Sequence, residues 1–330
     1  MFNNSSLLRR LLTAAGLSLL TGTCWAQASD YPQKPINVVV PFAAGGSVDS
    51  AARLVLQGMS ERLKQSFVIE NVAGASGTIG TQKVVRSAAD GYTLLFAVAS
   101  PINVAPVVRP SSVKYDALKD LVPIGVAATS PFVLIANPKL PVQSMADLVL
   151  AAKKDPGKLN YGTDGVGTSM HLTAEIIKLN AGIDVVHVPY KNGPQVLTEL
   201  AGGTLELAVM PISLAQPFIK DGKVKALGVT SKSRWPSLPN IPAIAETAGL
   251  QKVDEDSWYG LLAPAGTPNA ILDRLTVALR ETLKDPAVVE KMNTGGLKPM
   301  VLERGAFAAL LQREREGLIA AVKAAGIKPD

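Results

Sequence analysis

Sulfur and imidazole are nearly absent: the chain has one cysteine, Cys24, and two histidines, His171 and His187, in 330 residues. Structural zinc, iron–sulfur clusters and disulfide frameworks need several such side chains at close spacing, so all three are excluded. No metal and no cofactor is expected. Aromatic residues make up only 5%, and the formal charge of +6 is spread thinly, with basic runs no longer than pairs such as Lys153-Lys154. Nucleic-acid binders cluster cations on one face and interleave stacking aromatics; neither occurs, and no nucleic-acid partner is expected. Uninterrupted apolar runs of membrane-spanning length are also missing. Residues 91–108 and 121–138 carry no charge, but Pro101 and Pro106 interrupt the first and Pro123 and Pro131 the second. Both are predicted to be buried strands plus loops.

What the chain does have is 47% hydrophobic residues, 28 glycines and 23 prolines, the composition of a globular protein with short elements and tight turns. Its length suits two domains. The N-terminus is of a different character. Arg9 and Arg10 precede the apolar run Leu11 to Leu20, and Ala26-Gln27-Ala28 fits a small-x-small cleavage site. Residues 1–28 are therefore predicted to be a signal peptide, and the mature protein a soluble, exported, periplasmic chain. Cleavage would remove Cys24 and lower the formal charge from +6 to +4.

Downstream, strand-like apolar runs alternate with amphipathic helical stretches, as in a mostly parallel sheet covered by helices. Strands are expected at Ile36–Val40, Phe67–Glu70, Tyr92–Val98, Phe132–Ala136, Lys158–Tyr161, Val185–Pro189 and Leu205–Met210. Helices are expected from about Val48 to Leu63, over Ile79–Ser87, from the Ser144 cap to about Lys153, over Thr168–Asn180 and over Pro194–Leu200. The tail from Asn269 to Gly326 reads as almost wholly helical, split near Pro286 and at Gly295-Gly296. Crossovers near Ser130-Pro131 and Trp258-Tyr259 divide the mature chain into a discontinuous lobe (29–129 plus 255–330) and an inserted lobe (130–254).

The chemistry lies in two glycine-rich loops, one in each lobe. In Pro41 to Arg53 (PFAAGGSVDSAAR) the chain leaves a strand, turns through Gly45-Gly46 and starts a helix at about Ser47. A helix start offers unpaired N–H groups and about half a positive charge, which suits an anion, and glycines let a ligand reach the backbone. Tyr161 to Leu172 (YGTDGVGTSMHL) repeats the device, with Thr163 and Thr168 as hydroxyl donors. Asp49 lies in the first helical turn, where a carboxylate caps orphan N–H groups. Rival motifs fail. Neither loop has the lysine of a phosphate P-loop, the third glycine of a dinucleotide fingerprint is missing, and there is no GxSxG elbow. His171 reads as a helix-face side chain bonded to backbone, His187 as strand packing, and Asp254 to Asp256 as a solvated turn.

The stretches YPQKPINVVVPFAAGGSVDSAAR, NVAGASGTIGTQKVVRSAADGYTLLF, YGTDGVGTSMHLTAEIIKLNAGIDVVHVPYKN and WYGLLAPAGTP resemble the Bug receptors. These are the TctC-like extracytoplasmic solute-binding components of tripartite tricarboxylate transporters. The resemblance covers essentially the whole mature chain. It implies a two-lobed α/β periplasmic-binding-protein fold (a type II Venus flytrap), a non-enzymatic role, a small organic carboxylate as ligand and the transporter's membrane components as partners, with the receptor a monomer. It also implies that the loop from Phe42 to Ser47 holds one carboxylate and that Thr163 to Thr168 contacts the ligand from the other lobe. The expected ligand-binding set is Phe42, Ala43, Ala44, Gly45, Gly46, Ser47, Asp49, Ser100, Tyr161, Thr163, Asp164, Gly165, Gly167, Thr168 and Met210. The alternative is an exported hydrolase or isomerase using the same cleft, with Asp164, His171 or Asp49 as its acid–base groups.

Two departures from the family pattern bear on the ligand. Asp164 stands where a small hydroxyl residue is usual, and Met210 where an acidic or amide residue is frequent. If Asp164 faces the cleft, it opposes a second ligand carboxylate by about 4 kcal/mol at roughly 4 Å and an effective dielectric near 20. The distal end of the ligand is then neutral, cationic or aromatic. If it faces outward, it only shapes the turn.

Overall fold

The alternation of apolar and amphipathic stretches resolves into ten strands and eleven helices among the described residues of a computed structural model, which covers 31–324. The expected signal peptide, with Cys24, lies outside the described residues. From Lys34 onward the chain is one compact unit. The strands are β1 (Ile36–Val40), β2 (Phe67–Asn71), β3 (Thr93–Ala97), β4 (Leu121–Ala136), β5 (Asn160–Thr163), β6 (Val186–Pro189), β7 (Leu207–Pro211), β8 (Lys225–Val229), β9 (Asp256–Pro264) and β10 (Lys298–Glu303). The helices are α1 (Ser47–Leu63), α2 (Thr78–Val85), α3 (Ala105–Val108), α4 (Ala117–Asp120), α5 (Met145–Lys154), α6 (Ser169–Ala181), α7 (Gly193–Gly202), α8 (Ile212–Lys220), α9 (Asn269–Leu283), α10 (Pro286–Thr294) and α11 (Arg304–Ala324).

The sheet order is β2-β1-β3-β9-β4-β7-β5-β6, with β8 and β10 also paired to β4. β1 lies parallel to β2 and β3, and β5 parallel to β6 and β7, so each half has strand–loop–helix crossovers whose loops gather at strand C-terminal ends. β4 joins the halves. Its first part pairs antiparallel with β9 from Leu121 to Pro131, and its last five residues pair with β7 from Phe132 to Ala136. Two cores follow from this division. One surrounds Val133, Leu197, Leu207 and Val209, and the other surrounds Val39, Leu95, Leu262 and Phe307.

The structure departs from the sequence expectations at particular places. Pro123 and Pro131 do not break β4. Register shifts fall between Pro123 and Gly125, where an absent N–H does no harm, and Pro131 sits where the strand changes partners. β8, β9 and α8 are unforeseen, and the helical tail contains β10 (KPMVLE), antiparallel to β4 across a bulge. Glu255 is half-buried, and Asp256 opens β9 rather than closing a turn.

Candidate functional site

The first loop is built around Asp49. Its Oδ2 accepts the Gly45 N–H at 2.9 Å and Arg53 Nε at 2.9 Å, while Oδ1 accepts Asn71 Nδ2 at 3.0 Å. The same Asn71 amide donates to Phe42 O at 3.1 Å, tying the loop to the end of β2. Burial works against the Asp49 charge, but the bonds from Arg53, Gly45 and Asn71 outweigh it and hold the carboxyl below the usual carboxylate range. Gly45 adopts φ 76°, a left-handed conformation that disfavours any side chain. Gly46 precedes α1 with φ −77°, and no side chain caps that helix. Its leading N–H groups therefore lack a protein partner of the usual kind. Gly46, Ser47 and Val48 line a cavity at that end.

The second loop is held from behind by imidazoles. Thr163 Oγ1 shares a 2.7 Å hydrogen bond with His187 Nε2, and His171 Nδ1 accepts the Gly167 N–H at 3.3 Å. The two rings stack at 4.1 Å, and Tyr161 stacks on His187 at 4.9 Å. Burial first, and the neighbouring His171 second, push His187 down to about 4, so the ring is neutral at physiological pH. Thr168 caps α6, accepting His171 N–H and donating to Gly165 O at 2.9 Å. Gly165 (φ 133°) and Gly167 (φ 75°) give the chain its turn.

Two serines reach this loop from the other half of the sheet. Ser76 Oγ donates to Val166 O at 2.6 Å, and Ser100 Oγ accepts the Ser169 N–H at 2.9 Å. Ser76 belongs to the segment Gly74–Gly77, where all four residues have positive φ, including the non-glycines Ala75 and Ser76. The segment is strained, and its Ser76 bond ties it to the second loop.

Between the loops lies a cavity of about 460 Å³. Phe42, Ala43, Gly46 and Ser47 form one wall; Asp164, Gly165 and Met170 form the other; Gly74–Gly77, Arg109 and the run Tyr190–Pro194 complete it. A recess lined by Phe42, Ser47, Ser100, Asp164 and Tyr259 adjoins the same residues. Among the described residues, Asp164 is the only acidic side chain lining the main cavity, against the two cations Arg109 and Lys191.

Of the expected residues, Phe42, Ala43, Gly46, Ser47, Asp164 and Gly165 line the cavity, and Ser100 lines the recess. Gly45, Asp49, Thr163, Gly167 and Thr168 shape the loops from behind, and Ala44 is exposed. Tyr161 and Met210 are elsewhere. Tyr161 is buried, with Oη donating to Glu175 at 2.5 Å, because its strand position turns the ring under α6. Met210 is fully buried in β7, between β4 and β5, and packs under Gly193 of α7. The sequence reading missed Gly74–Gly77, Arg109 and the Tyr190–Asn192 turn as cavity residues. Asn192 before Gly193-Pro194 is an N-cap signal, borne out by Gln195 N–H donating to Asn192 Oδ1, and it marks another loop at a strand C-terminal end.

The geometry has relatives. A family described as "Tripartite tricarboxylate transporter family receptor" matches residues 51–327. Protein BugT of Bordetella pertussis is 34% identical over 311 residues, 92% of this chain and 95% of that one. The periplasmic binding protein BugD superposes with TM-score 0.85 at 32% identity, covering 90% of this chain and 99% of that one. An R. palustris protein with adipate superposes with TM-score 0.85 at 34% identity, covering 91% of this chain and all of that one. These likenesses give the fold as that of the two-lobed α/β periplasmic binding proteins, and the role as solute binding rather than catalysis. The chain belongs to the tripartite tricarboxylate transporter receptor family.

Proposed function

We propose that the mature protein captures a small organic carboxylate in the 460 Å³ cavity and presents it to the membrane components of a tripartite transporter. The observation that carries this reading is the uncapped start of α1, whose Gly46, Ser47 and Val48 line a cavity with two cations, Arg109 and Lys191. Unpaired N–H groups and the positive end of a helix stabilise an anion without a dedicated side chain. Adipate in an R. palustris relative agrees in chemical class. In this reading Phe42 to Ser47 holds the carboxylate, Asp164 and Gly165 face the ligand from the opposite wall, and Asp49, Thr163, Gly167 and Thr168 keep the loops in shape. The lobes are 29–129 with 255–330, and 130–254. Residues 1–28 direct export to the periplasm and are removed near Ala26–Ala28.

A thermal-shift screen of mono-, di- and tricarboxylates on the mature chain tests the proposal, since a ligand that binds only the folded form raises Tm by mass action. A subset of acids should raise Tm in a saturable way, and Gly46→Val should remove the rise. A flat response to every acid would contradict it.

A further inference from the structure

We propose that the ligand carries an ammonium group in addition to its carboxylate, and that Asp164 is the residue that selects it. This rests on the carboxylate-receptor reading and names the class of ligand within it.

Asp164 does not face outward. It lines both the main cavity and the recess beneath it. The residue is only half-buried, but its Oδ1 is fully covered and has no hydrogen-bond partner. Such an oxygen gives up water without replacement, which is unfavourable for a neutral group and more so for a charge. Desolvation pushes the carboxyl up to about 6, the Thr168 hydroxyl and its own N–H offset only part of that, and no cation contributes. At neutral pH the group is still mainly charged. The cavity wall thus holds an anion that no protein cation neutralises, among otherwise neutral side chains and backbone.

The rest of the cavity restricts what can balance that charge. Among the described residues, the cations lining it are Arg109 and Lys191, and neither neutralises Asp164. The opposite wall, from Phe42 to Ser47, offers N–H groups and no acceptor side chain beyond the Ser47 hydroxyl. An ammonium has donors only and carries the complementary charge, so it is matched to Asp164 and mismatched to the wall facing it. A carboxylate has the reverse preference. A ligand with one of each is oriented by the cavity in a single direction, whereas a dicarboxylate must place its second charge against Asp164. Selection of this kind is strong, because the wrong ligand sets like charges against each other in a partly desolvated site.

Pairs of equal carbon number isolate the end group: β-alanine with malonate, γ-aminobutyrate with succinate, and ε-aminocaproate with adipate. Calorimetric titration of the mature protein at pH 7.5 should give tighter binding for the amino acid in the pair of fitting length, by at least tenfold. Asp164→Asn keeps the shape and removes the charge, and Asp164→Ser installs a small hydroxyl. Both should lower amino-acid affinity at least tenfold and raise that of the dicarboxylate, with circular dichroism confirming that each variant is folded. Tighter dicarboxylate binding by the native protein, or a ratio unchanged in both folded variants, overturns the role of Asp164 while leaving a carboxylate receptor in place. Failure of the folded native protein to bind either series overturns this inference, and the receptor reading falls with it only if the wider thermal-shift screen is also flat.

Discussion

Gly45 and Gly46 are neighbours with different physical duties. Gly45 needs its glycine for backbone reasons: at φ 76° a side chain is strained although nothing lies within 4 Å of a built Cβ. Gly45→Ala should cost about 1 kcal/mol of stability without filling the cavity. Gly46 has an ordinary φ of −77°, and a Cβ there meets only Ala43 O at 3.2 Å. Gly46→Val should therefore fold, yet place methyl groups where Gly46 lines the cavity. We expect ligand affinity to fall at least tenfold, about 1.4 kcal/mol, with an unfolding midpoint close to that of the native chain. An unchanged dissociation constant by calorimetry would remove Gly46 from the binding surface. The turn was legible in the sequence because a paired glycine between a strand and a helix marks a tight strand-to-helix loop. Asp49 was legible as a first-turn carboxylate, but its partner Asn71 was not, since 22 residues separate them and only the β1–β2 pairing brings them together. Met210 was misread for a related reason. Its position in the chain marks the end of a strand, and only the β4–β7–β5 order shows that this strand is central and the side chain enclosed.

At the scale of elements, the second loop depends on neutral histidines. His187 must accept or share the Thr163 hydroxyl bond while stacked on His171, and a proton on either ring would introduce charge between them. The His187 pKa is depressed from 6.5 to about 4 in the folded protein, so the folded state binds fewer protons there than the unfolded chain. Its contribution to stability is present above about pH 6.5 and is lost as the pH falls toward about 4. Urea midpoints measured across that range should decline for the native protein and decline less steeply for His187→Gln. Parallel slopes would show that the ring does not titrate as described. The same scale explains what the sequence concealed about β4 and β10. Prolines are normally strand breakers, and only the register shifts of β4 against β9 accommodate Pro123. β10 is mostly half-buried or exposed and begins with Lys298-Pro299, so its alternation is weak and its pairing with β4 supplies the order.

At the scale of the whole molecule, the two halves of the sheet meet along β4 and β9, and carboxylates collect there. Glu255, Asp256 and Glu314 line a cavity of about 250 Å³ together with Asn103. Glu314 accepts Trp258 Nε1 at 2.9 Å and Asn103 Nδ2 at 3.2 Å. Desolvation, then the neighbouring Asp254, Glu314 and Asp256, push Glu255 up to about 7. A carboxyl raised in this way favours the folded state while protonated, so its contribution is full below about pH 4.5 and is lost as the pH rises through about 7. Glu255→Gln should raise Tm at pH 8 and leave it nearly unchanged at pH 4.5; an equal shift at both would mean that charge at the seam is not the cause. The alternation of elements made the two-part α/β design readable, because each half repeats strand, glycine loop and helix. The acidic seam was not readable, since Glu314 is 58 residues from Asp256 and joins it only through the packing of α11 on β4 and the Trp258–Glu314 bond to β9.

The central claim is that the cavity between the two glycine loops binds a carboxylate and returns it unaltered. Isothermal titration of the mature chain with the acid that raises Tm most, followed by mass spectrometry of the recovered ligand, tests it directly. The account predicts one ligand bound per chain, loss of binding in Gly46→Val, and a ligand of unchanged mass after prolonged incubation. Turnover of the ligand, or saturable binding that survives Gly46→Val undiminished, would contradict it.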